Sequence, residues 1–179
     1  GAFRFTGKNK KQLLWEANFL QKKNKTHLPA SRSLFNEPPV KFSLPELLDD
    51  PLDDIYDEME ILGFALRNPF EMVDDDATKY VLATEIPKHL GREVDLLIYF
   101  VTDKIVPTKN NSTMSFGTFL DAELNWLDTV HFPDTYKNFP MQGKGFYKIR
   151  GRVVEDFGFH SVEVIEMKKV GYKERKYAN

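Results

Sequence analysis

From residue 79 onward, apolar and polar residues alternate with a period of two, and this pattern limits the possible folds more than any other feature of the sequence. Successive side chains of a β-strand point to opposite faces of a sheet, so the alternation predicts strands with one buried face. Turn-forming residues separate the runs at 110–111, 133–134 and 156–158. The predicted strands are residues 80–84, 93–106, 112–120, 126–132, 145–154 and 159–168.

The order of these strands predicts the fold class. Residues 134–139, between the third and fourth long strands, predict one short helical turn. Five long strands with a helical element at that place are the layout of an OB-type barrel, whose closure leaves few open sheet edges. We therefore expect an α+β, mainly β protein. A five-stranded OB-type barrel should cover residues 79–172, preceded by a helical and linker segment and followed by a tail at 173–179.

The N-terminal segment predicts one helix. Asn9 and Gln12 have the spacing of a capping box, and apolar residues follow at helical spacing. This pattern predicts a helix over residues 10–23. Trp15 and Phe19 lie off the apolar stripe, so we expect the helix to have packed against an upstream domain.

The rest of the N-terminal segment predicts a linker. Four prolines lie between residues 24 and 45, and few apolar residues recur there with any period. The sequence begins Gly-Ala-Phe-Arg, with neither an initiator Met nor an apolar signal region. We therefore expect it to begin inside a longer chain. Residues 1–46 are interpreted as a helix plus a Pro-rich linker, the remnant of an upstream domain.

Residues 47–78 predict an acidic helical connector. They contain eleven acidic residues and one basic residue. Asp50 followed by Pro predicts a helix start, because both residue types are favoured in the first turn. The apolar period then ends at Gly63. The three contiguous acids at residues 74–76 are interpreted as a solvated break before the barrel.

Composition excludes several classes of protein. The chain contains no Cys, which excludes disulfides, thiolate zinc sites and Cys nucleophiles, and indicates a reducing cytoplasm. No apolar run approaches the roughly 18 residues that a membrane span requires, so no membrane partner is expected. The net charge of −2 is unevenly distributed, at +6 over residues 1–46, −10 over residues 47–78 and +2 over the remainder. Separate charged blocks indicate separate surfaces.

The sequence offers no convincing catalytic or metal site. Asp121 and Glu123 have the spacing of paired carboxylates, but they fall at a predicted turn. The four histidines, among them His131 in an apolar strand, lack the spacing of metal ligands. The chain also lacks a nucleophile elbow and a phosphate-cradling glycine loop. We expect no catalysis, no metal and no cofactor in this piece.

The fourth long strand carries a ladder of cations. The alternating set that we expect to face outward consists of Lys144, Phe146, Lys148, Arg150 and Arg152. Ile149 and Val153 belong to the opposite set and should lie inside the barrel. A row of cations can follow a phosphate backbone, although it reads no sequence. The alternative is an ordinary solvated strand face.

The second long strand predicts an apolar outer face. Gly117 and Phe119 should point inward, which leaves an outward set of Met114, Phe116, Thr118 and Leu120. An exposed ring can stack on a nucleobase without regard to sequence. Trp126 presents the same option. The alternative for Phe116 is packing against the helical segment at residues 51–66.

Two lysines complete the candidate DNA-binding set. Lys104 and Lys109 flank the turn between the first two barrel strands, where OB domains commonly grip a strand. Alternate residues of the second and fourth strands are then expected to place Phe116 and Arg150 on one shared outer wall. A flexible single-stranded nucleic acid could lie along that wall.

Three segments, in order, resemble the C-terminal region of the bacterial family C DNA polymerases, the replicative polymerase III α subunits. Residues 2–7 with Leu-Leu-Trp-Glu-Ala at 13–17 resemble the end of the family's helix-hairpin-helix region. Residues 58–70, EMEILGFALRNPF, are similar to the segment E-x-E-x-L-G-x-x-L-x-x-H-P-L, with Asn68 in place of His. Residues 114–121 followed by Val-His-Phe-Pro at 130–133 resemble the second and third strands of its OB domain.

The resemblance implies a part of a replicative polymerase that performs no chemistry itself. The catalytic acids of a DNA-directed DNA polymerase would lie upstream, and the OB domain would bind single-stranded template DNA. The family often carries a sliding-clamp-binding peptide between the first two segments, and Ser31, Leu34 and Phe35 occupy its place here, with Ser31 where a Gln is usual. An extended segment with two apolar side chains suits a groove. The alternative is that Leu34 and Phe35 only attach the linker to the domain. Implied partners are single-stranded DNA, the sliding clamp, other replisome subunits and the upstream chain.

Two other functions remain open at the level of sequence. The barrel could be a scaffold that docks replisome proteins, with the clamp peptide as its main output. It could instead be an RNA- or anticodon-binding OB module, which would prefer RNA through contacts with the 2′-hydroxyl. That reading gives no role to the first two resembling segments.

Overall fold

Five strands close into a barrel in the computed structural model, which describes residues 3–25, 47 and 50–173. The strands are β1 (Glu93–Pro107), β2 (Thr113–Leu120), β3 (Trp126–His131), β4 (Phe146–Asp156) and β5 (Phe159–Val170). A short helix, α3 (Pro133–Asn138), lies between β3 and β4. The order around the barrel is β1-β2-β3-β5-β4, and only the β3–β5 pair is parallel. The predicted α+β, mainly β, OB-type barrel is confirmed.

Apolar and polar side chains that alternate along the strands point to the inside and the outside of the barrel, respectively. Ile149 and Val153 of β4 and Phe119 of β2 are buried, as predicted. The interior core consists of Ile86, Val94, Leu96, Ile98, Phe100, Phe119, Leu127, Tyr147, Ile149, Val153, Val162, Val164 and Met167. Gly151 also faces inward, where a Cβ atom would come within 2.4 Å of Val162 Cγ1. Only glycine fits there, at the point where the β4–β5 register shifts.

The predicted strand at residues 80–84 is wrong. Val81 N–H does donate to Asp95 O of β1, at 3.1 Å, but the contact is not continued. Ala83 N–H donates to the side chain of Asp121, and a 3₁₀ helix begins at the same residue (Ala83–His89). Local helical hydrogen bonds and a side-chain acceptor thus take the place of a strand ladder.

The chain divides into two compact units, Gly1–Asp53 and Asp54–Asn179. In the first unit, helix α1 (Lys10–Lys25) begins at the predicted capping box. Gln12 N–H donates to Asn9 Oδ1 at 2.8 Å, and Asn9 N–H donates to Gln12 Oε1 at 3.1 Å. Two orphan N–H groups at the helix start are thereby satisfied. The predicted linker, apart from its first residues, lies outside the described part of the chain.

The connector leads into the barrel within the second unit. Helix α2 (Asp53–Leu62) follows a turn in which Asp50 accepts from Leu52 N–H at 2.9 Å, and it ends at Gly63, whose φ is +79°. A 3₁₀ helix (Pro69–Met72) follows, with Asn68 accepting from Phe70 N–H at 2.9 Å. The connector's buried side chains are Ile55, Phe70, Met72 and Val73. Residues 54–78 are therefore part of the barrel's own packing.

The segments that lead into and out of the barrel are bonded to each other. Val73 and Tyr172 form an antiparallel bridge, and Lys173 N–H donates to Met72 O at 2.7 Å. Tyr56 OH of α2 donates to Lys173 O, and the rings of Tyr56 and Tyr172 meet edge to face. The last residues of the barrel domain are thus held against the connector.

Asp121 organises the turn between β2 and β3. Its side chain is 1% exposed and accepts from Glu123 N–H at 2.9 Å and Asn125 N–H at 2.8 Å. It also accepts from Ala83 N–H at 2.8 Å, which ties the 3₁₀ helix to the turn. Glu123 points to solvent. Asp121 is therefore a structural acceptor and not half of a carboxylate pair.

Replacing Asp121 by Ala should lower the free energy of unfolding by about 2–3 kcal/mol, because three backbone donors lose their acceptor. Glu123→Ala is the matched control and should change stability by less than about 0.5 kcal/mol. Urea denaturation of both variants measures the difference. Equal effects of the two substitutions would contradict the assigned role of Asp121.

Candidate nucleic-acid interface

The predicted site residues do not share one wall, because β1 lies between β2 and β4. The first half of β1, Glu93 to Tyr99, pairs with β4, and the second half, Tyr99 to Pro107, pairs with β2. Arg150 lies opposite Asp95, whereas Phe116 lies opposite Lys104. Nine residues of strand separate these positions, up to about 30 Å. The expected shared outer wall is wrong, and two separate surfaces replace it.

The first surface combines cations with an exposed ring. Lys104 of β1, Phe116 of β2 and Val130 of β3 stand directly opposite one another on the outer face. The Phe116 side chain is 44% exposed and Lys104 is also exposed. Lys109 lies in the adjoining turn, where Thr108 and Ser112 bond to each other. We call Lys104, Lys109 and Phe116 the basic aromatic face.

The strand alternation at this face matches the sequence. Gly117 and Phe119 point inward, and Met114 and Thr118 point outward, as predicted for β2. Among the described residues, neither Lys104 nor Lys109 forms a salt bridge. Their charges are consequently available to an incoming anion.

The second surface is the cation ladder of β4, and acids neutralise it. The pairs are Lys148 Nζ to Asp75 Oδ2 at 2.6 Å, Arg150 Nε to Asp95 Oδ1 at 3.0 Å, and Arg152 Nη2 to Glu93 Oε1 at 3.9 Å. The β4 cations point outward as predicted, but the β1–β4 register sets Asp95 and Glu93 directly beside them. A phosphate would have to displace these carboxylates, which reduces the gain from counterion release.

Asp75 is a bonded residue and not part of a solvated break. Besides its ion pair with Lys148, it accepts a hydrogen bond from Tyr80 OH at 2.7 Å. Hydrogen bonds from Lys148 and Tyr80 lower the pKa of the Asp75 carboxyl to about 2. Asp76 also has a structural role, because it accepts from Thr78 N–H at 3.1 Å. The interpretation of residues 74–76 as a solvated break is corrected for Asp75 and Asp76.

A surface groove of about 430 Å³ lies beside the ladder. It is lined by Lys79, Tyr80, Asp95, Leu96, Lys148, Ile149, Arg150, Glu166 and Lys168. Lys79, Tyr80 and Lys168 are not among the predicted site residues, since the sequence gives no sign that these segments meet. The mixed charges of the lining make the groove a weak anion site.

Phe146 does not have the predicted role. Phe146 is fully buried, with its ring centroid 5.0 Å from those of Phe70 and Tyr99 and 5.5 Å from that of Tyr172. The ring of Phe146 does point away from the barrel interior, but the connector covers the start of β4. The ring is therefore buried beneath the connector. Lys144 Nζ donates to Gly63 O at 2.8 Å. Phe146 is therefore unable to stack on a nucleobase.

Trp126 is exposed but stands apart from the basic aromatic face. Its side chain is 66% exposed and lies opposite Leu120, four residues along β2 from Phe116, or roughly 13 Å. Exposed acids flank it at Glu123 and Asp128. Trp126 thus belongs to a different electrostatic environment from Lys104.

His131 is a buried residue of the barrel interior. Its side chain is fully buried, and its Nε2 lies 2.9 Å from Thr129 Oγ1. Nδ1 has no hydrogen-bond partner among the described residues. Burial lowers the pKa of His131 from 6.5 to about 4, with an opposing contribution from Asp103. His131 is thus a structural residue of the interior, and only one of its ring nitrogens is bonded within the described chain.

Within the described residues, no three His, Asp or Glu side chains cluster in a way that could hold a metal ion. No helix in the same part of the chain is long and apolar enough to cross a membrane.

The candidate clamp-binding residues Ser31, Leu34 and Phe35 lie outside the described residues. Neither the family models nor the curated proteins contain a match to this sequence.

Phe146→Ala should lower the free energy of unfolding by about 3–5 kcal/mol, because it removes a buried ring. Phe116→Ala should cost less than about 1 kcal/mol, because that ring is about half exposed. Denaturant titration of the two variants measures both values. A small effect at Phe146 would contradict the packing of the connector over β4.

Acid should destabilise the barrel through His131. The unfolded chain binds a proton near pH 6.5, whereas the folded chain does so only near pH 4. This stabilisation is therefore complete above pH 6.5 and is lost as the pH falls toward 4, by about 3 kcal/mol in total. Urea denaturation over this range should show that His131→Gln flattens the dependence. An unchanged slope in the variant would rule His131 out as its source.

Proposed function

We propose that this chain is the C-terminal region of a bacterial replicative DNA polymerase III α subunit and that its barrel binds single-stranded template DNA. The chain performs no chemistry itself and works in the cytoplasm, as part of the replisome. The ordered resemblance of three segments supports the parent protein. The OB-type barrel supports the mode of binding, since such barrels bind oligonucleotides on the face of strands 2 and 3 and at the adjoining loops.

The observation that carries the proposal is the cross-strand pair of Lys104 and Phe116. An exposed ring with a cation directly beside it can stack on a base while the cation contacts the adjacent phosphate. The paired parts of β1 and β2 and the turn between them, residues 99–120, form the β1–β2 arm. Lys109 lies in the turn at its tip and extends the cationic side. Among the predicted cations of the barrel, Lys104 and Lys109 carry charge that no described carboxylate neutralises.

Binding by this face alone should be weak. Each phosphate contact lowers log K by about 0.7 per tenfold increase in salt, so two lysines supply a modest electrostatic contribution. Stacking on one ring adds about 1–3 kcal/mol. Attachment to a polymerase that already holds the template would raise the effective DNA concentration and make a weak site useful.

The clamp-binding peptide at Ser31, Leu34 and Phe35 is part of the same proposal. It would keep the polymerase on its template by attaching it to the sliding clamp and other replisome subunits. A scaffold that only docks proteins is the second candidate, and the neutralised β4 ladder favours it, because a surface evolved for phosphates has little use for matched acids. An RNA-binding module is the third candidate.

Fluorescence anisotropy with labelled oligo-dT over a salt series tests the DNA-binding site. Lys104→Gln and Lys109→Gln should each reduce the salt slope by about 0.7, and Phe116→Ala should weaken binding by about tenfold or more. The matched control is a variant in which Lys148, Arg150 and Arg152 are all replaced by Gln. It should bind oligo-dT like the wild type.

Three results would count against the proposal. Loss of binding in the ladder variant with full binding in the Lys104 variant would move the site to β4. If the chain does not bind oligo-dT at low salt, the DNA-binding function is excluded and the protein-docking scaffold is favoured. Preference for an RNA oligomer of the same sequence in competition would favour the RNA-binding module.

A further inference from the structure

The end of the barrel where β3 and β5 begin exposes four large apolar side chains. Their exposed fractions are 43% for Leu124, 66% for Trp126, 94% for Phe157 and 78% for Phe159. Leu124 lies in the β2–β3 turn and Phe157 in the β4–β5 turn. We call these four residues the aromatic end surface. Phe157 and Phe159 are not among the predicted site residues, although a ring inside a Gly-containing turn is a visible sequence signal.

The strand register places these residues together. β3 and β5 run parallel, with Thr129 opposite Val162 and both side chains buried. Three residues before this pair lie Trp126 and Phe159, the first residues of these two adjacent strands. Side chains alternate between the two faces of a strand, and Thr129 and Val162 point inward. Residues three positions away therefore point to the outer face. The two turns that precede these strands are consequently at the same end of the barrel.

The backbone at this end is held in conformations that disfavour large side chains. Phe157 has a φ of +51° and is followed by Gly158 at +82°, the pattern of a two-residue type I′ hairpin turn. Asn followed by Gly is the usual sequence for this turn. Leu124 has a φ of +65°. Two of the three non-glycine residues with positive φ in the described chain are thus large, exposed and apolar, and such strain concentrates at binding sites.

The charges around the aromatic end surface are negative. The acids are Glu123, Asp128, Glu155, Asp156 and Glu163, of which all but Glu163 are exposed. The neighbouring basic groups already have acidic partners: His160 is 3.7 Å from Glu155, and Arg152 is 3.9 Å from Glu93. Like charges repel a phosphate backbone and attract lysine and arginine.

We propose that the aromatic end surface docks a basic, apolar segment of a partner protein. The four apolar side chains would be covered by leucine or aromatic residues of the partner, and its Lys and Arg residues would pair with the surrounding acids. Aromatic residues exposed as one cluster are typical of interface centres. This surface is separate from the basic aromatic face, so a barrel that binds DNA could hold this partner at the same time.

The basic aromatic face and the aromatic end surface carry opposite charges. A basic protein segment that fits the aromatic end surface should therefore not bind to the basic aromatic face. The β1–β2 arm carries Lys104 and Lys109 without described acidic partners, whereas the opposite end of β3 carries Glu123 and Asp128. A basic protein segment is repelled by the first and attracted by the second. A nucleic acid has the reverse preference.

The full chain should be titrated with a short fluorescent amphipathic peptide made of Lys and Leu. Binding should saturate, and the double variant Phe157→Asn, Phe159→Thr should weaken it at least tenfold. A second variant, Asp128→Asn with Asp156→Asn, should weaken binding and reduce its salt dependence. Phe116→Ala is the matched control and should bind the peptide like the wild type. A Glu–Leu peptide and a Lys–Ser peptide should not bind.

Folding and DNA binding must be measured on the same variants. Asn suits a positive φ better than Phe, so the double variant should unfold at a temperature no lower than that of the wild type. Its oligo-dT binding should be unchanged. The two proposals can therefore fail separately. If the chain does not bind oligo-dT, it should still bind the peptide, and if it does not bind the peptide, it should still bind oligo-dT.

Three outcomes would overturn the inference. Equal peptide binding by the wild type and the Phe157, Phe159 variant would show that the rings contribute nothing. Loss of oligo-dT binding in that variant would assign the surface to nucleobases. Concentration-dependent sedimentation that disappears in the variant would identify the occupant as a second copy of this chain.

Discussion

Strand β1 determines where the basic aromatic face and the β4 cation ladder lie. It is long enough to pair with β4 through its first half and with β2 through its second half, and this double pairing closes the sheet. It also separates the two strands whose outer faces carry the cations and the rings. Because an antiparallel register fixes each cross-strand neighbour, the same strand supplies Asp95 to neutralise Arg150 and Lys104 to accompany Phe116. One strand thus makes one surface neutral and another basic.

The outer surface consequently has three regions that differ in charge. Ion pairs between exposed groups contribute little to stability, so the neutral ladder on β4 is not explained as a source of folding energy. Its acids do make the β4 ladder less attractive to anions than Lys104 and Lys109. At the other end of β3, exposed rings and exposed carboxylates occur together around Trp126 and Phe157. Charge, more than shape, separates the three regions.

Local patterns predict the strands, the inward residues and the capping box at Asn9, because each depends on residues close together in the sequence. The order of strands around the barrel is not a local property, and neither is the pairing of Arg150 with Asp95, 55 residues away. The burial of Phe146 depends on Phe70, from a connector that reads as solvated by composition. Strand periodicity therefore predicts which way a side chain points, but not what covers it.

The bonds between Met72 and Lys173, and between Val73 and Tyr172, have a mechanical consequence. Tension that reaches the domain through both ends of its chain is carried first by this short bridge and by the Tyr56 hydroxyl, not by the ladders of the barrel. A pull on the two ends of the domain would therefore break these bonds before it opened the sheet.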